Sequence, residues 1–305
     1  MAYAKNISSD KGLTLRMFFT GLMLVVLWAI IGSVLFAVGV SFTFIIIFEA
    51  LIIFGQYWFS DKIALFGMGG KEVSPEEAPQ LHAMIDRLCA MAEMPKPRVA
   101  VADTDMPNAF ATGRSPKKAV VCVTTGIQGR LNESELEGVL AHELSHIAHR
   151  DVAVMTIASS VGMIAGLLTR IAMWSSIFSG GDDREGGGAA AELIIMLVSI
   201  VVYAISFVLT RALSRYRELA ADRSAAILTR RPSALASALV KITGDMSKIP
   251  QRDLRQAQAF NAFFFTPAIS GNQDLSLSNL FSTHPTLERR LAQLEDLERQ
   301  MGSAA

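Results

Sequence analysis

Between Met17 and Phe59 the chain runs for 43 residues with Glu49 as the only charge. At 1.5 Å of helical rise per residue this is about twice the ~30 Å hydrocarbon thickness of a bilayer. One straight span cannot use that length, whereas a hairpin of two spans at 17–37 and 42–59 fits, with Gly39 as its turn. A cleaved leader fits poorly, because its apolar region is ~7 to 15 residues long and is followed by small residues at a cleavage site.

Two more apolar stretches, 152–178 and 190–210, flank a Gly/Asp cluster, the first interrupted by Arg170 and the second opened by Glu192. Both reach spanning length, which disfavours a pair of buried helices in a soluble protein. Arg170 lies near the end of its span, where a long side chain reaches the interface. The composition agrees, with 51% hydrophobic residues. Lys plus Arg balance Asp plus Glu at 28 each, so there is no basic footprint for nucleic acid. Basic residues set the orientation. Lys5, Lys11 and Arg16 precede the first hairpin, Lys62 and Lys71 follow it, Arg150 precedes the third span, and Arg211, Arg215 and Arg217 follow the fourth. The loop between the last two spans holds Asp182, Asp183 and Glu185 against Arg184. Both termini and the polar segments are therefore expected in the cytoplasm. Cys89 and Cys122 then meet a reducing compartment and read as small buried residues.

The pattern divides the chain into a tail and first hairpin (1–60), a first polar segment with a sheet and a long helix (61–150), a second hairpin (151–212) and a second polar segment (213–305). In the first polar segment, Ser74 caps a helix expected to run to Ala92, with Pro75 at its first position and Glu77 three residues after the cap. Arg98–Ala102 and Lys118–Thr124 are β-rich runs that predict a small antiparallel sheet, with the segment from Asn108 to Gly113 at its edge. Asn132, followed by Glu135, caps a helix through His149 that is expected to continue into the third span. Residues 211–228 form a further helix, 259–283 are irregular and rich in Phe, and Leu287, Leu291 and Leu294 mark a closing amphipathic helix.

The chemistry is concentrated in His142-Glu-Leu-Ser-His146. Two imidazoles at i and i+4 reach one metal ion from the same helix face, with Glu143 beside its open position as a base for water. A chance pair on a surface helix is the weaker reading, since the chain has only 5 His and these interrupt an apolar helix. A catalytic zinc site needs a third protein ligand. His149 is a poor choice, because its Cα lies about 10 Å along the helix from His142. The zinc proteases that take a nearby third His turn the chain at a Gly, and here His149 and Val152 stand at the Gly and His positions of that pattern. Glu218 is the better ligand, standing at i with Asp222 at i+4 on a helix that leaves the membrane on the same side. Asp222 would accept the free N–H of a ligand His. By itself such a pair reads as a solvated face with Arg215 and Arg217 as partners. The two His already in place favour the ligand reading.

Taken with Asn108-Ala-Phe-Ala-Thr-Gly113, Arg217-Glu-Leu-Ala-Ala-Asp222 and Ser282-Thr-His-Pro285, the motif resembles the HtpX-type bacterial heat-shock membrane proteases, relatives of the CAAX prenyl proteases. The resemblance covers nearly the whole chain. It implies an α-rich protein of the bacterial inner membrane, with four transmembrane helices and a gluzincin-like zinc domain facing the cytoplasm. The implied activity is degradation of misfolded membrane proteins under stress, with one Zn2+ per chain, polypeptide substrates and the lipid bilayer as partners, and no nucleic acid. It further implies that Asn108 holds substrate backbone, and that His284 and Arg290 stabilise the oxyanion and support the site. Thr286 replaces a second Pro that the family carries after Ser-Thr-His-Pro. Two competing functions are a narrow processing protease of the prenyl type and a zinc-stabilised scaffold without turnover. Four spans leave little room for the chamber the first needs, and a structural site would not need Glu143.

Overall fold

The computed structural model describes residues 11–37, 40–178, 187–246 and 282–302. Gly39, the acidic loop at Asp182 and nearly all of the Phe-rich 259–283 segment lie outside the described residues. Helices α1 (Lys11–Ala37) and α2 (Phe42–Met68) come first, and α6 (Asp151–Phe178) and α7 (Gly187–Thr229) make a second pair. Among the described residues, three helices are long and apolar enough to cross a membrane: α1, Asp151–Met173 within α6 and Glu192–Thr229 within α7. The apolar stretch of α2, Ile46–Phe59, is shorter. Leu24, Leu27 and Ile31 of α1 pack on Ala158, Val161 and Ala165 of α6 and on Val202 and Leu213 of α7. Phe18, Phe36, Leu51, Ile171 and Val201 face outward. That distribution suits lipid, since water would penalise so much contiguous exposed apolar surface. Glu49 is turned inward, where Trp28 of α1 hydrogen-bonds its carboxylate.

The polar segments build one core around a sheet. Strands β1 (Gly70–Glu72), β2 (Arg98–Ala102), β3 (Ala109–Thr112) and β4 (Val120–Thr124) form a four-stranded sheet in the order β1-β2-β4-β3. It is mixed: β4 is antiparallel to β3 but parallel to β2, in contrast to the antiparallel sheet expected from sequence. The reason lies in burial. Every residue of β4 is buried, so this apolar strand takes an inner place between two neighbours, and Ala109–Thr112 is left at the edge. One face of the sheet packs on α3 (Pro79–Met91), α5 (Glu133–Ala148), α8 (Pro232–Met246) and α9 (Leu287–Gly302) through Leu88, Val121, Leu140, Leu239 and Leu294. The other face is covered by Ala64 and Leu65 near the end of α2. Helix α2 therefore contributes directly to the core around the sheet.

Helix α3 starts later than Ser74. A turn follows Ser74, whose N–H donates to Glu77 Oε2 at 2.7 Å, and Ala78 takes φ −138 and ψ 61 before Pro79. The residue before a proline avoids helical geometry, so the second proline rather than Pro75 becomes the first helical position. Short α4 (Thr125–Arg130) follows β4 and is capped by the Thr124 hydroxyl.

Gly113, at the end of edge strand β3, has φ +130, and a Cβ there would lie 2.6 Å from Ala119 Cα. Gly113→Ala is expected to combine backbone strain with a backbone clash and to cost on the order of 2 kcal/mol or more. Thermal unfolding of the metal-free protein checks this, and an unchanged midpoint would contradict it.

Candidate metal centre

Helix α5 is fixed at its start by a reciprocal cap. Asn132 N–H donates to Glu135 Oε2 at 2.9 Å, and Glu135 N–H donates to Asn132 Oδ1 at 3.0 Å. Gly138 lets α8 approach so closely that a Cβ would meet Leu235 at 3.3 Å. One turn later His142 and His146 stand on the same face with ring centres 4.7 Å apart and planes at 84°. Helix α7 runs unbroken for 43 residues, about 65 Å. It is far longer than a bilayer is thick, so its second half projects beyond the apolar part and carries Glu218 to α5.

The three candidate ligands form a compact triangle. His142 Nε2 lies 3.0 Å from His146 Nε2 and 3.6 Å from Glu218 Oε2, and His146 Nε2 lies 3.4 Å from Glu218 Oε1. Donors at ~2.1 Å from one tetrahedral ion are separated by about 3.4 Å. Two imidazole nitrogens and a carboxylate oxygen at these spacings fit a single divalent ion, and all three ligand atoms lie within 4.8 Å of one another.

Both outer ring nitrogens face carboxylates. His142 Nδ1 is 2.9 Å from Asp222 Oδ1. Asp222 is fully buried and accepts from Arg290 of α9 through Nε at 2.7 Å and Nη2 at 2.6 Å. His146 Nδ1 is 2.6 Å from Asp151 Oδ2, and Arg217 pairs with the other oxygen of Asp151. Burial works against the charged form of Asp222, but Arg290 and His142 together outweigh it and hold the carboxyl below its ordinary range. Burial likewise opposes ionisation of Glu218, but His284 and the two ligand imidazoles hold it well below the usual carboxylate range.

Glu143 lines the same cavity as the three candidate ligands. Burial is the main influence on its carboxyl and raises it above the ordinary value. Its backbone-side partner is Ala111, whose N–H donates to it from the edge strand β3. Between β3, the residues that follow it, α5, α6 and α7 there is a cavity of about 540 Å3 that includes His142, Glu143, His146 and Glu218. It continues along α6 and α7 as far as Gly162 and Tyr203.

The remaining expected residues are placed as follows. Asn108 is buried just before β3, its backbone N–H donating to Thr124 Oγ1 at 3.0 Å. His284 stands beside Glu218, its Nδ1 3.2 Å from Glu218 Oε2, and its buried Nε2 has no hydrogen-bond partner among the described residues. Arg290 Nη1 is 3.8 Å from Glu218 Oε2. His149 is not among the ligands: its Nε2 is 3.3 Å from Ser224 Oγ, and burial with nearby Arg217 lowers its pKa to about 4. The residues that sequence reasoning missed are Asp151 and Arg217 in their contact with His146. An acid five positions after the second His was the only available signal, and in a straight helix it would point away.

Comparison with known proteins agrees with this arrangement. The model of Peptidase family M48 matches residues 75–298. Protease HtpX homolog 1 of Streptomyces coelicolor is 56% identical over 97% of this chain and 96% of that protein. Protease HtpX homolog of Moorella thermoacetica is 54% identical over 97% of this chain and 98% of that protein. The crystal structure of S. mikatae Ste24p shares the fold, with a TM-score of 0.55 at 18% identity over 93% of this chain and 67% of that one. The His-His-Glu cluster, the apolar helices and the near full-length match to these proteases converge on one conclusion: the chain belongs to Peptidase family M48 and is a membrane-bound metalloprotease.

Proposed function

We propose that the protein is a zinc endopeptidase of the gluzincin type that cuts misfolded or damaged membrane proteins at the cytoplasmic face of the bacterial inner membrane. The observation that carries this reading is the triangle of His142, His146 and Glu218 beside Glu143, at the end of a cavity that extends between membrane helices. His142, His146 and Glu218 are the zinc ligands, one ion per chain. Bound zinc supplies a Lewis acid that brings a water pKa toward neutrality. Glu143 takes the proton from that water at its carboxylate as the water attacks a peptide carbonyl, then returns it to the leaving nitrogen.

The substrate lies along β3. This strand is at the sheet edge with Ala111 directed to Glu143, so an extended peptide adds to the edge and its carbonyl meets the ligands. Asn108, fixed by Thr124, sets the position of that edge. His284 Nε2 is the candidate donor to the oxyanion, while Arg290 supports Asp222 and Glu218. With four spans, the α2 stretch included, both termini and the catalytic segments share the cytoplasm, as the basic flanks require. Glu218 follows the apolar part of α7 by about 8 residues, roughly 12 Å of helix. Cleavage is therefore expected in cytoplasmic loops and juxtamembrane segments and not in intact spans. The test reconstitutes the protein with a multi-span substrate and maps cut sites by mass spectrometry, using Glu143→Gln as the blank. Cuts concentrated on the opposite face, or deep in folded spans, would overturn this reading.

A further inference from the structure

The geometry points to Asp151, clamped by Arg217, as the positioning residue that orients the second metal-ligand imidazole, and to the break between α5 and α6 as the device that places it. This rests on the reading of His146 as a ligand. Its starting point is the chain direction at that break. Had α5 run straight into α6, Asp151 would lie about 140° around the helix from His146 and roughly 7.5 Å further along it, facing away. Instead α5 stops at Ala148, and Arg150 takes φ 56, a left-handed conformation that a non-glycine side chain disfavours. The helix is interrupted there, and Asp151, the first residue of α6, lies with its Oδ2 2.6 Å from His146 Nδ1.

The placement is then held from the other membrane helix. Arg217 of α7 pairs with Asp151 Oδ1, and its Nη2 donates to the carbonyl of His149 at 3.1 Å. One guanidinium thus ties the last turn of α5 to the first residue of α6, and it is the immediate neighbour of Glu218. Asp151 and Arg217 are each 7% exposed. A buried carboxylate on a ring N–H fixes the tautomer that leaves Nε2 free for metal and prevents rotation of the ring. Asp222 with Arg290 does the same for His142, but from α7 and α9. The two relays differ in what they sense. The Asp222 relay is anchored in the polar core, whereas the Asp151 relay is built from the first residue of one membrane helix and the membrane-distal half of the other. The ligand geometry at His146 is thereby set by how α6 and α7 sit together.

The experiment uses the full chain in detergent and measures zinc affinity by competition with a chromophoric chelator. It also records the visible spectrum of the cobalt-substituted protein and the thermal midpoint of the metal-free protein. Asp151→Asn is expected to weaken zinc binding by about 10- to 100-fold and to alter the cobalt spectrum. The double variant Asp151→Asn, Arg217→Gln removes both charges and should show the same weakening without the drop in metal-free midpoint caused by a stranded guanidinium. Asp151→Glu should restore part of the affinity. Zinc affinity within about twofold of wild type in either Asn variant, or a cobalt spectrum identical to wild type, would overturn the proposal, even where the midpoint falls. If Glu218→Ala binds zinc as tightly as the wild type, the ligand assignment itself fails, and the inference falls with it.

Discussion

Glu143→Gln is expected to retain about one zinc ion per chain while losing about 10²- to 10⁴-fold in kcat/KM. The variant removes a base and leaves the ligand triangle untouched, because none of the three ligand atoms belongs to residue 143. Its amide is close to isosteric with the carboxyl, so the buried position next to Ala111 is kept. The loss should fall on kcat/KM at every pH, since a missing base is not restored by titrating its neighbours. Metal content by atomic emission and initial rates on a quenched-fluorescence peptide, measured on the same sample, decide it. Turnover near wild type with full metal would remove Glu143 from the chemistry.

Glu218→Ala and Asp222→Ala should separate sharply, although the two acids are one helical turn apart. Glu218→Ala removes a ligand and is expected to leave the site largely empty at stoichiometric zinc. Asp222→Ala leaves the triangle intact and should weaken zinc by about 10- to 100-fold. Its larger effect is on stability. Arg290 is 2% exposed and bonds Asp222 through both Nε and Nη2. Removing the acid strands a buried guanidinium, which costs about 3 to 5 kcal/mol. Chemical denaturation of the metal-free proteins should thus place Asp222→Ala well below Glu218→Ala, while metal titration ranks them the other way. A reversed pair of rankings would mean that the two acids exchange roles.

Much of this arrangement is legible in the residues themselves because it depends on local spacing. An i, i+4 pair of imidazoles with Glu143 between them defines a face on any helix, and the structure puts His142 and His146 3.0 Å apart. The Asn132 cap with Glu135 three residues later is equally local and is present as read. The long apolar helices follow from composition over a window, and the first, third and fourth stretches each form one. Glu218 is visible at one remove, because a catalytic zinc site with two His calls for a third ligand and Glu218 stands on the helix that continues the fourth apolar stretch.

What the sequence does not contain is any term that depends on where separate elements meet. The β-rich runs identify strands, but burial on both sides decided that β4 would be interior and parallel to β2. Pro75 and Pro79 both satisfy the rules for a helix start, and the conformation of Ala78 decided between them. The helix through His149 has no breaker in its residue types, so its end at Arg150 had no local signal. That break is stabilised by Arg217, 67 positions away in the chain, and by the imidazole it orients. His284 and Arg290 likewise reach Glu218 and Asp222 only because α9 packs on α7 and α8. By itself the sequence determined the candidate ligands, the candidate base and the long apolar helices, which are properties of short windows. Only the tertiary structure decided which carboxylates steady which imidazoles, because a hydrogen bond between distant residues exists only once packing has set the distance.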